Sequence, residues 1–157
     1  DYNQFLYEIV PDKMKNIKKG DIKNEDGKIV GTHDGFTKYT IGQRKGLGLS
    51  FPEPRYVKKI NPINNTITIA RKDSIYSKEC KAENINLLTN NLKFPLNINA
   101  KIRYNSRSSL ATVNKLTNNT LSIKFKEPQL AITPGQSIVF YDKEQVIGGA
   151  IIKWSQL

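Results

Sequence analysis

Short runs of β-branched and aromatic residues, separated by turn-forming residues, constrain the fold of this chain more than any other feature. Asn, Asp, Gly and Pro lie between the runs, as in Asn24-Glu25-Asp26-Gly27 and Pro134-Gly135. The second pair favours a type II turn, because Pro presets φ at the first central position and Gly accepts positive φ at the next. Short strands at this regular spacing are typical of a small β-barrel. The runs cover residues 17–23, 28–32, 55–60, 66–70, 98–104, 109–116, 120–125, 137–141 and 146–154.

The pattern predicts a mainly β chain with two domains. Residues 72–83 form the least regular stretch, and we place the junction there. A small, β-rich central domain is predicted over residues 1–76 and a C-terminal β-barrel over 77–157. Ahead of the first strand, apolar residues at positions 5, 6, 9 and 10 have near-helical spacing, and Pro11 follows them. A short N-terminal helix is therefore expected.

The charge balance and the cysteine count narrow the classes of function. The chain has 25 Lys and Arg against 14 Asp and Glu, a net charge of +11, which favours a polyanionic partner such as nucleic acid. A Lys-, Asn- and Ile-rich composition can also raise the charge without any functional meaning, so both interpretations stay open. One Cys and one His exclude a disulfide framework and argue against an internal zinc site. No apolar run approaches the roughly 20 residues of a membrane helix. We expect a cytoplasmic, monomeric chain without a membrane partner, either processed or cut from a longer protein.

The most informative stretch is the Gly-rich segment at residues 33–48. It reads His-Asp-Gly-Phe-Thr-Lys-Tyr-Thr-Ile-Gly-Gln-Arg-Lys-Gly-Leu-Gly, with glycines at 35, 42, 46 and 48. Gln43, Arg44 and Lys45 place an amide and two cations on a backbone that is free to adopt positive φ. Such a loop could hold a phosphate, or it could be a solvated β-connection. It has neither the spacing of a P-loop nor the βαβ setting of a dinucleotide fingerprint.

This segment resembles the signature of the tRNA-specific 2-thiouridylases, the MnmA/TrmU family. The resemblance continues in order along almost the whole chain, through an Arg-Tyr pair expected on a strand, then Glu-Pro, Ala-Ile-Thr-Pro-Gly-Gln and a final Gly-Gly. These later motifs lie at residues 103–104, 127–128, 131–136 and 148–149.

The resemblance implies that this chain is part of an enzyme that thiolates the wobble uridine of certain tRNAs. Full-length members activate the uridine with ATP and Mg²⁺ and transfer persulfide sulfur from a carrier protein. They do so with an N-terminal Ser-Gly-Gly-x-Asp-Ser loop and two cysteines. Neither the loop nor matching cysteines occur here, since Cys80 follows the Gly-rich segment and the family's cysteines precede it. The resemblance therefore implies the central and C-terminal domains, with no catalytic residue and no bound metal or cofactor of their own.

Three residues are implied as tRNA contacts, namely Arg103, Tyr104 and Gln136. An Arg makes paired hydrogen bonds to phosphate or a base edge, and a Tyr offers a stacking face. Alternatively, one of the Arg-Tyr pair could face the barrel core, and Gln136 could cap its own turn. Gln43, Arg44, Lys45 and Arg107 are possible tRNA or interdomain contacts.

Two further residues are expected to be structural. His33 is expected to close the end of a hairpin, and Cys80 to be a small buried residue. The rival to an enzyme fragment is a stand-alone, translation-factor-like β-barrel that binds RNA or protein without catalysis.

Overall fold

The computed structural model describes residues 18–89 and 92–153. The chain divides into two compact units, Asp1–Ile75 and Tyr76–Leu157. The helix expected at residues 5–10 lies outside the described residues.

The first unit contains a four-stranded sheet. Its strands are β1 (Gly20–Lys23), β2 (Ile29–His33), β3 (Tyr56–Asn61) and β4 (Thr66–Ala70), in the order β2-β1-β4-β3. The central pair, β1 and β4, is parallel and the outer pairs are antiparallel. One turn of 3₁₀ helix, Phe36–Lys38, follows β2, and another, Lys72–Ile75, ends the unit. Ile22, Val57, Ile67 and Ile69 form the core, and Leu47 of the Gly-rich segment is buried with them.

The turns of this sheet follow from their sequences. In the β1–β2 hairpin, the Asn24 side-chain oxygen accepts the backbone N–H of Asp26 and of Lys28, and Gly27 has a φ of 80°. In the β3–β4 hairpin, the Asn61 side chain accepts two backbone N–H groups and Asn65 has a φ of 49°. Asn forms such local bonds readily and tolerates left-handed backbone, which is why both hairpins occur where the sequence predicts them.

The second unit is a closed six-stranded barrel. Its strands are β5 (Tyr76–Leu87), β6 (Leu96–Lys101), β7 (Ser109–Thr117), β8 (Thr120–Leu130), β9 (Ser137–Asp142) and β10 (Gln145–Ile152). They close in the order β10-β5-β8-β7-β6-β9, and every neighbouring pair is antiparallel. Closure leaves no unpaired sheet edge. The prediction of a mainly β chain with a C-terminal barrel is confirmed.

Alternation along the strands fills the barrel. On β8, the buried residues are Leu121, Ile123 and Phe125. Lys124 and Lys126, on either side of Phe125, are exposed. The same two-residue period places Ala111 and Val113 of β7 inside. Phe125 and Phe140 are the largest fully buried side chains of the barrel core.

One sequence interpretation of this region is wrong. Residues 72–83, predicted to be the least regular, contain a 3₁₀ turn and the first two thirds of β5, the longest described strand. The outward side of β5 is polar and charged, so its apolar positions, such as Ala82, are too few and too small to mark a strand in the sequence.

Candidate nucleic-acid interface

The predicted tRNA contacts of the barrel lie on two connections at the same end. Residues 102–108, the Arg103 turn, join β6 to β7, and residues 131–136, the Gln136 loop, join β8 to β9. Because β6, β7, β8 and β9 alternate in direction, the β6–β7 and β8–β9 connections emerge at one end of the barrel and the β7–β8 hairpin at the other. We call the first end the Arg103 end.

The prediction that Arg103 and Tyr104 lie on a strand is wrong. β6 ends at Lys101, and both residues belong to the Arg103 turn. The turn is closed by Ser106, whose backbone N–H and hydroxyl both donate to the Arg103 carbonyl, at 3.1 and 2.8 Å. Tyr104 is therefore not forced inward by strand alternation.

The Arg103 side chain ties the two connections together. Its guanidinium donates a hydrogen bond to the backbone carbonyl of Ala131, which also accepts the Thr133 hydroxyl at 2.9 Å. Ala131 has a φ of 48°, a left-handed conformation that is uncommon for a residue other than Gly. A charged donor on this carbonyl helps to hold the Gln136 loop in its observed path.

Tyr104 and Arg107 project from the turn into solvent. Tyr104 is 92% exposed, and the Lys101 ammonium lies 5.5 Å from the centroid of its ring. Arg107 is exposed and, with Arg103, Ser106 and Ser108, lines a cavity of about 360 Å³. An exposed aromatic ring on the same turn as two arginines is suited to a stacked base and its phosphate.

Gln136 has a fixed backbone and an unused side-chain acceptor. Its N–H donates to the Thr133 carbonyl at 3.3 Å across Pro134-Gly135, and Gly135 has a φ of 83°, as a type II turn requires. Its carbonyl accepts the N–H of Ile152 at 2.8 Å. Within the described part of the chain, the buried Gln136 Oε1 has no hydrogen-bond partner. Gln136 does not cap its turn with that oxygen.

In the first unit, Gln43 is engaged within the Gly-rich segment itself. Its Oε1 accepts the Thr40 N–H at 3.0 Å and its Nε2 donates to the Lys45 carbonyl at 2.9 Å. The Gly42 N–H donates to the Val57 carbonyl, and the Val57 N–H donates to the Gln43 carbonyl. This part of the loop is therefore bonded to β3, whereas the Arg44 and Lys45 side chains are exposed.

His33 is a structural residue at the end of β2. It is 2% exposed, its Nδ1 accepts the Gly35 N–H at 3.1 Å, and its Nε2 lies 3.2 Å from the Asn65 carbonyl. These partners require a neutral ring with the proton on Nε2. Burial lowers the pKa of His33, and the Asn65 carbonyl and the nearby Asp21 and Asp34 offset part of that effect.

Cys80 packs against the barrel core from β5. Burial raises the pKa of its thiol to about 12, so the thiolate is scarce near neutral pH. Residues 18–89 and 92–153 contain no group of three or more His, Cys, Asp or Glu side chains that could hold a metal ion. No helix within these ranges is both long and apolar enough to cross a membrane.

Three lysines on the barrel wall were missed in the sequence. Lys78, Lys124 and Lys126 line one groove of about 380 Å³ with residues of β6 and β7. Alternation on β8 marks Lys124 and Lys126 as outward neighbours. Only the strand pairing brings Lys78 beside them.

Comparison with known proteins defines the class of each unit. Residues 3–71 match the family model described as the tRNA methyl transferase PRC-barrel domain, and residues 77–152 match the aminomethyltransferase β-barrel domain. The chain thus contains two β-barrel-type domains, one of a class named for tRNA methyl transferases and one of a class named for aminomethyltransferases.

The particular family follows from the relatives. The chain is 42% identical to the tRNA-specific 2-thiouridylase MnmA of Clostridioides difficile over 98% of its length, covering 43% of that protein. It is 40% identical to that of Acetivibrio thermocellus over 98% of the chain and 42% of the relative. A second MnmA from Clostridium botulinum is 44% identical over 87% of the chain and 39% of the relative. The chain belongs to the tRNA-specific 2-thiouridylase family, as its central and C-terminal domains. It spans about two fifths of the length of these curated relatives.

Proposed function

We propose that this chain is the tRNA-holding part of a tRNA-uridine 2-sulfurtransferase. In this proposal, the Arg103 end of the barrel binds tRNA while the part of the enzyme outside this chain modifies the wobble uridine in the cytoplasm. The observation that carries the proposal is the joining of Arg103, Tyr104, Arg107 and Gln136 at one end of the barrel, in a chain whose relatives are named tRNA-specific 2-thiouridylases.

The four side chains suit different features of an RNA. Arg107 is an exposed guanidinium that can pair with a phosphate, and the open ring of Tyr104 can stack on an unpaired base. The Gln136 Oε1 is buried without a partner, so it serves as an acceptor for a ribose hydroxyl or a base amino group once the side chain turns outward. Arg103 contributes its charge to the same cavity and fixes the Gln136 loop through Ala131.

The first unit is proposed to contact the tRNA or the catalytic domain. Arg44 and Lys45 extend from a loop whose backbone is bonded to β3, so two cations are held on a defined support. Gln43 stabilises the loop and does not offer a free amide to the RNA, because its side-chain oxygen and nitrogen are both hydrogen-bonded within the loop.

The chemical step is assigned to residues outside this chain. ATP with Mg²⁺ would adenylate the C2 oxygen of the uridine and release pyrophosphate. Persulfide sulfur, passed from a carrier protein to one of the parent's two cysteines, would then displace AMP, and the second cysteine would free the sulfur by forming a disulfide with the first. The residues described here bind and orient the RNA for that step. Their contribution is positional, and a correctly held substrate gains rate by proximity.

The test is a titration of labelled, unmodified tRNA with the 157-residue chain and with the variants Tyr104→Ala and Arg107→Gln. Wild type is expected to bind, and each variant is expected to bind more weakly by roughly 1–3 kcal/mol, the range for one stacked base or one paired contact. Lys143→Gln, in the β9–β10 turn at the other end, is the matched control and should bind like wild type. Equal affinity of all four proteins for tRNA, or no binding by wild type, would overturn the proposal.

A further inference from the structure

The groove of Lys78, Lys124 and Lys126 lies on the outer wall of the barrel. β5 and β8 pair irregularly there, since Ser77 faces Gln129 while Glu79 faces Lys124. Lys78 and residues 125–128 occupy the resulting bulge. Bulges redirect side chains, and in this one Lys78 and Lys126 line the same groove as Lys124.

The charge of the groove is positive. Lys124 is paired with Glu79 at 3.1 Å, whereas Lys78 and Lys126 have no ion-pair partner within the described ranges. Glu127 is exposed next to Lys126 and offsets part of this charge. Thr112 and Asn97 also line the groove, and the Thr112 hydroxyl donates to the Asn97 side-chain oxygen at 2.8 Å; Leu110 and Phe125 add an apolar part to the lining.

The groove begins one residue along β7 from the cavity at the Arg103 turn. Ser109, the first residue of β7, lines that cavity, and Leu110 and Thr112 of the same strand line the groove. From Arg107 to Thr112 an extended chain covers roughly 16 Å. A nucleic-acid strand presents about one phosphate per 3.4 Å of helix axis, so several fall within this distance.

We infer that the groove binds the ribose-phosphate backbone of the RNA held at the Arg103 turn. The inference rests on the function proposed above and extends its surface from the barrel end onto the wall of β5, β8 and β7. Lysine ammonium groups are point charges without the paired geometry of Arg. The groove therefore adds affinity and orientation without reading sequence.

The experiment compares two double variants of the full chain. Lys78→Gln/Lys126→Gln removes two charges from the groove, and Lys115→Gln/Lys143→Gln removes two exposed charges near the opposite end. Binding of labelled tRNA is measured between 50 and 200 mM salt, alongside wild type and Arg107→Gln. Circular dichroism and melting temperature show whether each protein is folded. Lys126→Gln alone replaces the double variant if that loses its fold.

Each phosphate contact adds about 0.7–0.9 to the slope of log affinity against log salt. The groove variant is expected to lower the slope by about 1.5 and the affinity at 0.1 M salt by roughly 25- to 60-fold. The Lys115/Lys143 variant should stay within about twofold of wild type. If Arg107→Gln weakens binding but the groove variant matches the control, the groove inference is overturned and the proposed function stands. If wild type does not bind tRNA, the proposed function itself fails.

Discussion

Replacing Arg103 tests whether this one side chain both stabilises the Arg103 end and supplies positive charge there. Arg103→Ala removes the charged hydrogen bond to the Ala131 carbonyl. Such a bond contributes about 1.5–3 kcal/mol, and the Thr133 hydroxyl still satisfies that carbonyl in part. We therefore expect a loss of about 1.5 kcal/mol in the free energy of unfolding. For a unit of this size, that loss lowers the melting temperature by roughly 6–12 °C.

The assay is urea or thermal unfolding followed by circular dichroism, together with a tRNA titration below the transition. Arg103→Ala is expected to lose tRNA affinity by roughly 1–3 kcal/mol as well, since the cavity loses a charge and the Gln136 loop loses its anchor. Arg103→Lys keeps the positive charge but lacks the planar guanidinium. Compared with Arg103→Ala, it should restore more of the tRNA affinity than of the free energy of unfolding. Thr133→Val is the matched control, because it removes the other side-chain hydrogen bond to the Ala131 carbonyl and leaves Arg103 in place. Wild-type stability in Arg103→Ala would refute the structural part of this reasoning.

Three further predictions concern the scaffold. Gly149→Ala would place a Cβ 2.8 Å from the Ile138 carbonyl, so β9 and β10 must separate, and we expect about 1–3 kcal/mol of lost stability by urea unfolding. Because burial lowers the pKa of His33, the unfolded chain binds its proton more readily, and stability should fall as pH drops below about 6.5 toward the folded pKa and then level off. His33→Gln should flatten that part of a pH series of unfolding curves. The Cys80 thiol, with its pKa raised to about 12, should resist iodoacetamide at pH 8 in the folded chain and react after unfolding in urea.

Each of these has an outcome that contradicts it. Wild-type stability of Gly149→Ala would mean that the two strands are not as close as described. If the pH dependence of stability persists unchanged in His33→Gln, His33 is not the group that causes it. Rapid alkylation of folded Cys80 would place its thiol in solvent.

The hairpins could be predicted because their turn chemistry is local. Asn24 and Asn61 form hydrogen bonds with residues next to them in the chain, and Gly27 adopts the positive φ of its own turn. The residues that form each turn are therefore visible in a short stretch of sequence. β5 could not be predicted, because its pairing with β8 and β10 comes from residues more than 30 positions away. Its outward face carries charges that hide the two-residue period.

The sequence indicated which residues belong to the candidate site but not how they are arranged in space. The family resemblance pointed to Arg103, Tyr104 and Gln136, and barrel topology places them at one end. Arg103 was wrongly placed on a strand because the pattern of apolar residues continues as far as Ile102. The strand itself ends earlier, at Lys101, which is the last residue of β6 that pairs with β9. The bond from Arg103 to Ala131 spans 28 positions and has no local sequence signal.

Photochemical cross-linking of tRNA to the chain, followed by mass spectrometry of the cross-linked peptides, tests the central claim most directly. Aromatic side chains stacked on bases are well placed to form such adducts. The account predicts adducts on the peptide that contains Tyr104, and their loss in Tyr104→Ala. Adducts confined to residues 142–145, in the turn at the opposite end of the barrel, would contradict it.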